Sequence, residues 1–219
     1  MELRLVELSP RSQLITGIAA AAQQQCGTVS LAAVQDELEE TMGVESWGST
    51  PCHLTPILLR CWAGKKCRDV YRHVFVTFSV ERITKLNLEL LSRVGRARGG
   101  IFTITPEHFW EATAVGFDFG DSLAGDETLE TRASSIIAEC EALKNILRAQ
   151  ERTAHLQNLA EPICGCINCI ITCDLATALE LIAIRKQQLK PVEDMLQALA
   201  RQLADTAEWL RAIIAQGEK

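Results

Sequence analysis

Apolar residues recur three and four positions apart over most of this chain, and that period predicts helices. Leu14, Ile15, Ile18, Ala19 and Ala22 share one face. They follow Ser9-Pro10, a helix start with serine as N-cap and proline in the first turn. Gly27 closes that helix. Leu31, Val34, Leu38 and Met42 predict a second helix over 30–42, and a third, short one covers 52–62. Ile83, Leu86, Leu90 and Val94 predict a helix over 80–94, and Thr105-Pro106-Glu107 opens another. From about 127 the period runs almost unbroken, with Ile136, Cys140, Leu143 and Leu147 as one apolar stripe ending before Pro162. A further helix is expected over 174–190. The clearest repeat lies in 192–215, where Leu196, Leu199, Leu203, Thr206, Leu210 and Ile213 form a seam of under three heptads. A seam that short suits packing inside a bundle, with dimerisation as its functional version. Alternation with period two is brief: 2–7, 70–79 and 101–104 read as strands.

These elements predict a mainly α fold with a small β component. Their order suggests a winged-helix-like N-terminal region, with the basic glycine turn at 95–100 as the wing tip, followed by a C-terminal helical bundle. The expected division is a mixed α/β region at 1–115, an acidic linker at 116–128, and a helical domain at 129–219 that carries a cysteine cluster and the heptad-like tail. The linker contains Gly116, Gly120 and Gly125 with Asp118, Asp121, Asp126 and Glu127, and no basic residue offsets these acids.

Composition supports a packed core, since 47% of the residues are hydrophobic and only 5% aromatic. Charge adds more. The net charge is −6, yet residues 60–98 hold ten basic and three acidic residues, a local balance of +7. Such asymmetry points to a polyanion or an acidic protein partner. The residues expected to make that contact are Lys65, Lys66, Arg68, Arg82, Lys85, Arg93, Arg96 and Arg98.

Four of the nine cysteines fall within ten residues: Cys164, Cys166, Cys169 and Cys173. Four thiolates can close a tetrahedron around zinc or hold an iron–sulfur cluster, and zinc is the metal expected first. Cys166, Cys169 and Cys173 also fall on one stripe of a helix, where free cysteines pack as small hydrophobes. A second cysteine–histidine set at Cys52, His53, Cys61, Cys67 and His73 matches no zinc module.

The chain carries no phosphate-binding glycine loop, no dinucleotide fingerprint, no H-E-x-x-H and no G-x-S-x-G. No catalytic residue is therefore assigned. The expectation is a non-enzymatic structural or adaptor protein that acts through helical contacts and self-association. The alternative is a nucleic-acid-binding regulator that uses the 60–98 segment and a cysteine-ligated metal site. The apolar runs are too interrupted to span a membrane, and no secretory signal precedes them. A reducing, cytoplasmic location and a homo-oligomer or protein partner follow as expectations.

Overall fold

The computed structural model describes residues 1–9, 13, 17, 59, 62, 63, 68–106, 116–117, 126–152 and 165–217. At its centre is a five-stranded antiparallel sheet. Its strands are β1 (Glu2–Leu8), β2 (Phe75–Thr84), β3 (Phe102–Pro106), β4 (Gly116–Phe117) and β5 (Gly165–Asp174). β5 lies in the middle. β2 runs along one of its edges and β1 pairs with β2 beyond it, while β3 and β4 share the other edge of β5.

The sheet is two-faced, as its alternating pattern requires. Val76, Phe78 and Val80 of β2 are buried, and they pair with Cys173, Ile171 and Cys169 of β5 on the same face. The opposite face carries Thr77, Ser79, Thr103 and Thr172. There Thr77 and Thr172 share a hydrogen bond of 3.1 Å between their hydroxyls. Arg82, at φ 58°, lies in an irregularity of β2 between Val80 and Ile83. Its N–H donates to the Asn168 side chain at 3.1 Å.

Among the described residues, the helices that accompany the sheet are α1 (Lys85–Arg96), α2 (Glu127–Ala149), α3 (Leu175–Gln188), α4 (Glu193–Thr206) and α5 (Glu208–Gly217). A 3-10 helix, Arg68–His73, leads into β2. Local chemistry sets several starts. Thr84 accepts from the N–H of Asn87, Asp126 from that of Leu129, and Asp174 from that of Thr177. Each is a side-chain N-cap that satisfies an otherwise orphaned donor. α4 packs on β1, where Gln202 accepts from the N–H of Leu5 at 2.6 Å and donates to the carbonyl of Leu3 at 3.1 Å.

This architecture corrects the expected fold class. The small β component is instead the centre of the molecule, and among the described residues neither a winged helix nor a separate helical bundle forms. The turn at 95–100 is no free wing tip: the Arg98 carbonyl accepts from Arg72, and Gly100 abuts Asp174. Residues 165–174, read as part of a helix, form the central strand. The heptad seam of 192–215 is broken at Ala207, whose backbone is extended (φ −155°, ψ 143°). Leu196, Leu199, Leu203, Leu210 and Ile213 of that seam are buried inside the chain itself. The sheet joins strands from both sides of the 116–128 stretch. Thr105 and Pro106, expected to open a helix, instead end β3, and the rest of that helix and nearly all of those expected before residue 59 lie outside the described residues.

Candidate functional site

The 3-10 helix, α3 and the turn after α1 meet at a cleft of about 380 Å³. Its lining includes Trp62, Arg68, Arg98, Glu180, Ile184 and Gln216. An aromatic column supports it from below: the ring of Trp62 meets Tyr71 edge-on at 5.8 Å, and Tyr71 stacks on Trp209 at 5.9 Å. Tyr71 and Trp209 are completely buried, so this wall is rigid.

Two arginines face the cleft. Arg68 lies over the Trp62 ring, 4.7 Å from its centroid, in a cation–π contact. Its Nε donates to the Trp62 carbonyl at 2.9 Å, and its Nη1 to Glu180 Oε1 at 3.4 Å. Arg98 donates from Nη2 to Gln188 Oε1 at 3.2 Å, while its buried Nε has no hydrogen-bond acceptor. A buried donor without an acceptor is costly and marks a place for a ligand or water.

Arg72 holds this turn in place. Its Nε bonds Asp69 at 2.9 Å, its Nη2 donates to the Arg98 carbonyl at 3.2 Å, and its Nη1 stands 3.9 Å from Asp174 Oδ2. Asp174 is 1% exposed and also accepts from the N–H of Ile101 at 2.7 Å and from the hydroxyl of Thr177 at 3.0 Å. One carboxylate thus ties the start of α3 to the start of β3 and to the arginine behind the cleft. With Arg68, Arg98 and Glu180 as its charged lining, the cleft has an excess of positive charge suited to an anion.

The predicted contact residues divide. Arg68 and Arg98 come together in the cleft. Arg82 and Lys85 lie at the far end of β2 and the start of α1. Arg93 is exposed and paired with Glu89 at 3.4 Å, and Arg96 is exposed at the end of α1. Lys65 and Lys66 lie outside the described residues. Trp62, Glu180, Gln188 and Arg72 were not singled out from the sequence. Their only local signal is Arg72 three residues after Asp69, a helical ion-pair spacing.

The cysteines are placed differently from the expectation. Cys166, Cys169 and Cys173 lie along β5 as buried free thiols, and Cys164 lies outside the described residues. Along a strand, Cys169 and Cys173 are roughly 13 Å apart. A single zinc ion, with Zn–S bonds of about 2.3 Å, does not bridge that distance. Burial pushes the Cys169 thiol up to about 12 and also raises Cys173, to which Asp174 adds. Among the described residues no cluster of three or more histidine, cysteine or acidic side chains stands where it would hold a metal. The zinc and iron–sulfur expectations are corrected accordingly. Of the second cysteine–histidine set only His73 is described, and it is exposed on the 3-10 helix.

No protein-family model matches the chain, and no curated protein matches it in sequence. Its fold does match solved structures. The UMP/dUMP methylase PolB from Streptomyces cacaoi, bound with 5-Br dUMP, is 14% identical with a TM-score of 0.62, over 98% of this chain and 94% of that one. Thymidylate synthase X from Helicobacter pylori, with FAD and dUMP, is 14% identical with a TM-score of 0.61, over 96% and 97%. A second structure of the Helicobacter pylori flavin-dependent enzyme, also complexed with FAD and dUMP, gives 13% and 0.57 over 92% and 93%. The adaptor and nucleic-acid regulator readings are corrected by this likeness: they rested on a helical bundle and a wing that do not form among the described residues. Among the described residues no helix is long and apolar enough to cross a membrane. The chain has the fold of the thymidylate synthase X and PolB structures.

Proposed function

We propose that this chain binds a uridine 5′-monophosphate, dUMP or UMP, in the cleft of Trp62, Arg68 and Arg98, and serves one-carbon transfer to its uracil ring. The observation that carries this reading is the buried Arg98 Nε, which lacks an acceptor beside a second arginine. A phosphate dianion supplies that acceptor, and guanidinium groups bind phosphate through paired donors. Ala183 and Ile184 form an apolar wall for a base, and the Gln216 amide offers both a donor and an acceptor to its edge. The volume lies within the range of small-molecule sites. The neighbours' printed names, a UMP/dUMP methylase and a thymidylate synthase, supply the nucleotide and the reaction class.

In this reading Arg98 and Arg68 neutralise the phosphate, Glu180 holds the Arg68 guanidinium in position, and Arg72 keeps the Arg98 turn closed against Asp174. Flavin adenine dinucleotide is two nucleotides joined through a pyrophosphate and exceeds this cleft. The role of the cleft is therefore capture and orientation of the mononucleotide.

Isothermal titration of the full chain with dUMP, UMP and deoxyuridine tests the reading. A charge-assisted hydrogen bond contributes about 1.5–3 kcal/mol, so deoxyuridine is expected to bind about 10- to 100-fold more weakly than dUMP. Arg98→Ala is expected to weaken dUMP by a similar factor and leave deoxyuridine unchanged. Equal affinity for nucleotide and nucleoside, or no dUMP binding, would falsify it.

A further inference from the structure

α3 lays one wall of the cleft out in order. Glu180, Ala183 and Ile184 line it from one face of the helix, three and four positions apart. Beside Glu180 stands Arg68, whose Nη1 donates to Glu180 Oε1 at 3.4 Å. One turn further along come the apolar Ala183 and Ile184. The carboxylate therefore lies between a guanidinium assigned to the phosphate and the wall assigned to the base. In a nucleoside 5′-monophosphate, the group between phosphate and base is the sugar.

Most of the hydrogen-bonding capacity of Glu180 is open. A carboxylate offers two acceptor oxygens, with about four lone-pair sites, and no donor. Arg68 meets one oxygen at 3.4 Å, longer than the roughly 2.7–2.9 Å of a strong charge-assisted bond. Oε2 accepts no hydrogen bond from any described residue. The side chain is 18% exposed, so a ligand that fills the cleft covers what remains. A covered carboxylate has to be met by a donor, or its lost hydration goes uncompensated. The phosphate cannot serve, since it is itself an anion. Ribose can: its adjacent 2′ and 3′ hydroxyls are two donors for two carboxylate oxygens. An acidic side chain on a ribose 2′-hydroxyl is the arrangement that dinucleotide sites use. Deoxyribose has only C–H at the 2′ position.

We infer that Glu180 reads the sugar and makes the cleft selective for the ribonucleotide, UMP, over dUMP. The inference rests on the nucleotide reading above and gives Glu180 a second role beside its hold on Arg68.

The test is isothermal titration of the full chain, wild type, Glu180→Ala and Glu180→Gln, with UMP and dUMP. A hydrogen bond to a charged group sets the scale, and wild type is expected to bind UMP about tenfold more tightly than dUMP. Glu180→Ala should bring that ratio to about one, by weakening UMP more than dUMP. Glu180→Gln keeps the shape and one neutral acceptor, and should retain a preference of about threefold. The ratio separates the two roles of the residue: if Glu180 only held Arg68, both nucleotides would weaken together and the ratio would persist. Equal wild-type affinities, a wild-type preference for dUMP, or an unchanged ratio in either variant overturns the inference and leaves the phosphate-binding reading standing. Binding of neither nucleotide overturns both.

Discussion

Gly100 shows how closely the turn beside the cleft is built. A Cβ at this position would run into the Asp174 carboxylate, the Thr177 hydroxyl and the Arg72 guanidinium. Gly100→Ala therefore forces apart the junction that ties α3 to β3, and overpacking of this kind costs about 1–3 kcal/mol. Urea unfolding of the variant should show that loss; an unchanged midpoint would mean that the turn yields freely. The buried thiols give a second prediction at the same scale. Cys169 rises from 9.0 to about 12 because burial disfavours its thiolate. Above pH 9.0 the unfolded chain loses this proton while the folded chain keeps it, so stability falls as pH rises from 9.0 to about 12. Cys169→Ala should flatten that slope relative to wild type when denaturation midpoints are compared across the interval. The cluster was visible in the sequence, but its role was not. Spacing gives the order of the sulfurs along the chain, and only the backbone conformation converts that order into distances.

Among the elements, β5 decides the most. Ile171 is completely buried at its centre and pairs with Phe78 of β2 and Ile104 of β3. Ile171→Ala should cost about 2–5 kcal/mol, the range for deleting a core aliphatic side chain. Thermal unfolding would register this, and a near-neutral result would place the strand outside the core. The stretch misled as a helix because its apolar positions are almost continuous, and periodicity does not separate a buried strand from a buried helix. The β-branched Ile167, Ile170, Ile171 and Thr172 were the better guide. Where a cap was local, reading was easier. α3 starts at the expected position 174, where Asp174 caps it, and α2 starts at Glu127, where its apolar period begins.

For the whole molecule, the sheet brings residues 2–8 against β2, and residues 165–174 between β2 and β3. The strands of both expected domains thereby share one hydrophobic cluster, which also takes in Trp62 and Trp209. The described fold should unfold as one cooperative unit. Far-ultraviolet circular dichroism and tryptophan fluorescence are expected to give coincident denaturant curves. Two separated transitions would divide the sheet-and-α3 core from the rest. The cleft belongs to this scale too: Arg68 and Arg98 are 30 positions apart in sequence, and Glu180 lies far beyond both.

Helical periods, caps and the short alternating strands were legible from the amino acids because each depends on neighbours within a turn or two. β1, β3, α2 and the start of α3 follow from such local signals. The basic balance of residues 60–98 was equally plain, and it includes the two arginines of the cleft. The central place of β5, the burial of its cysteines and the selection of Arg68 and Arg98 from eight candidate basic residues came from strand pairing between distant segments. Register across a sheet is set by which faces can be buried together, and that quantity is defined only once the chain is folded.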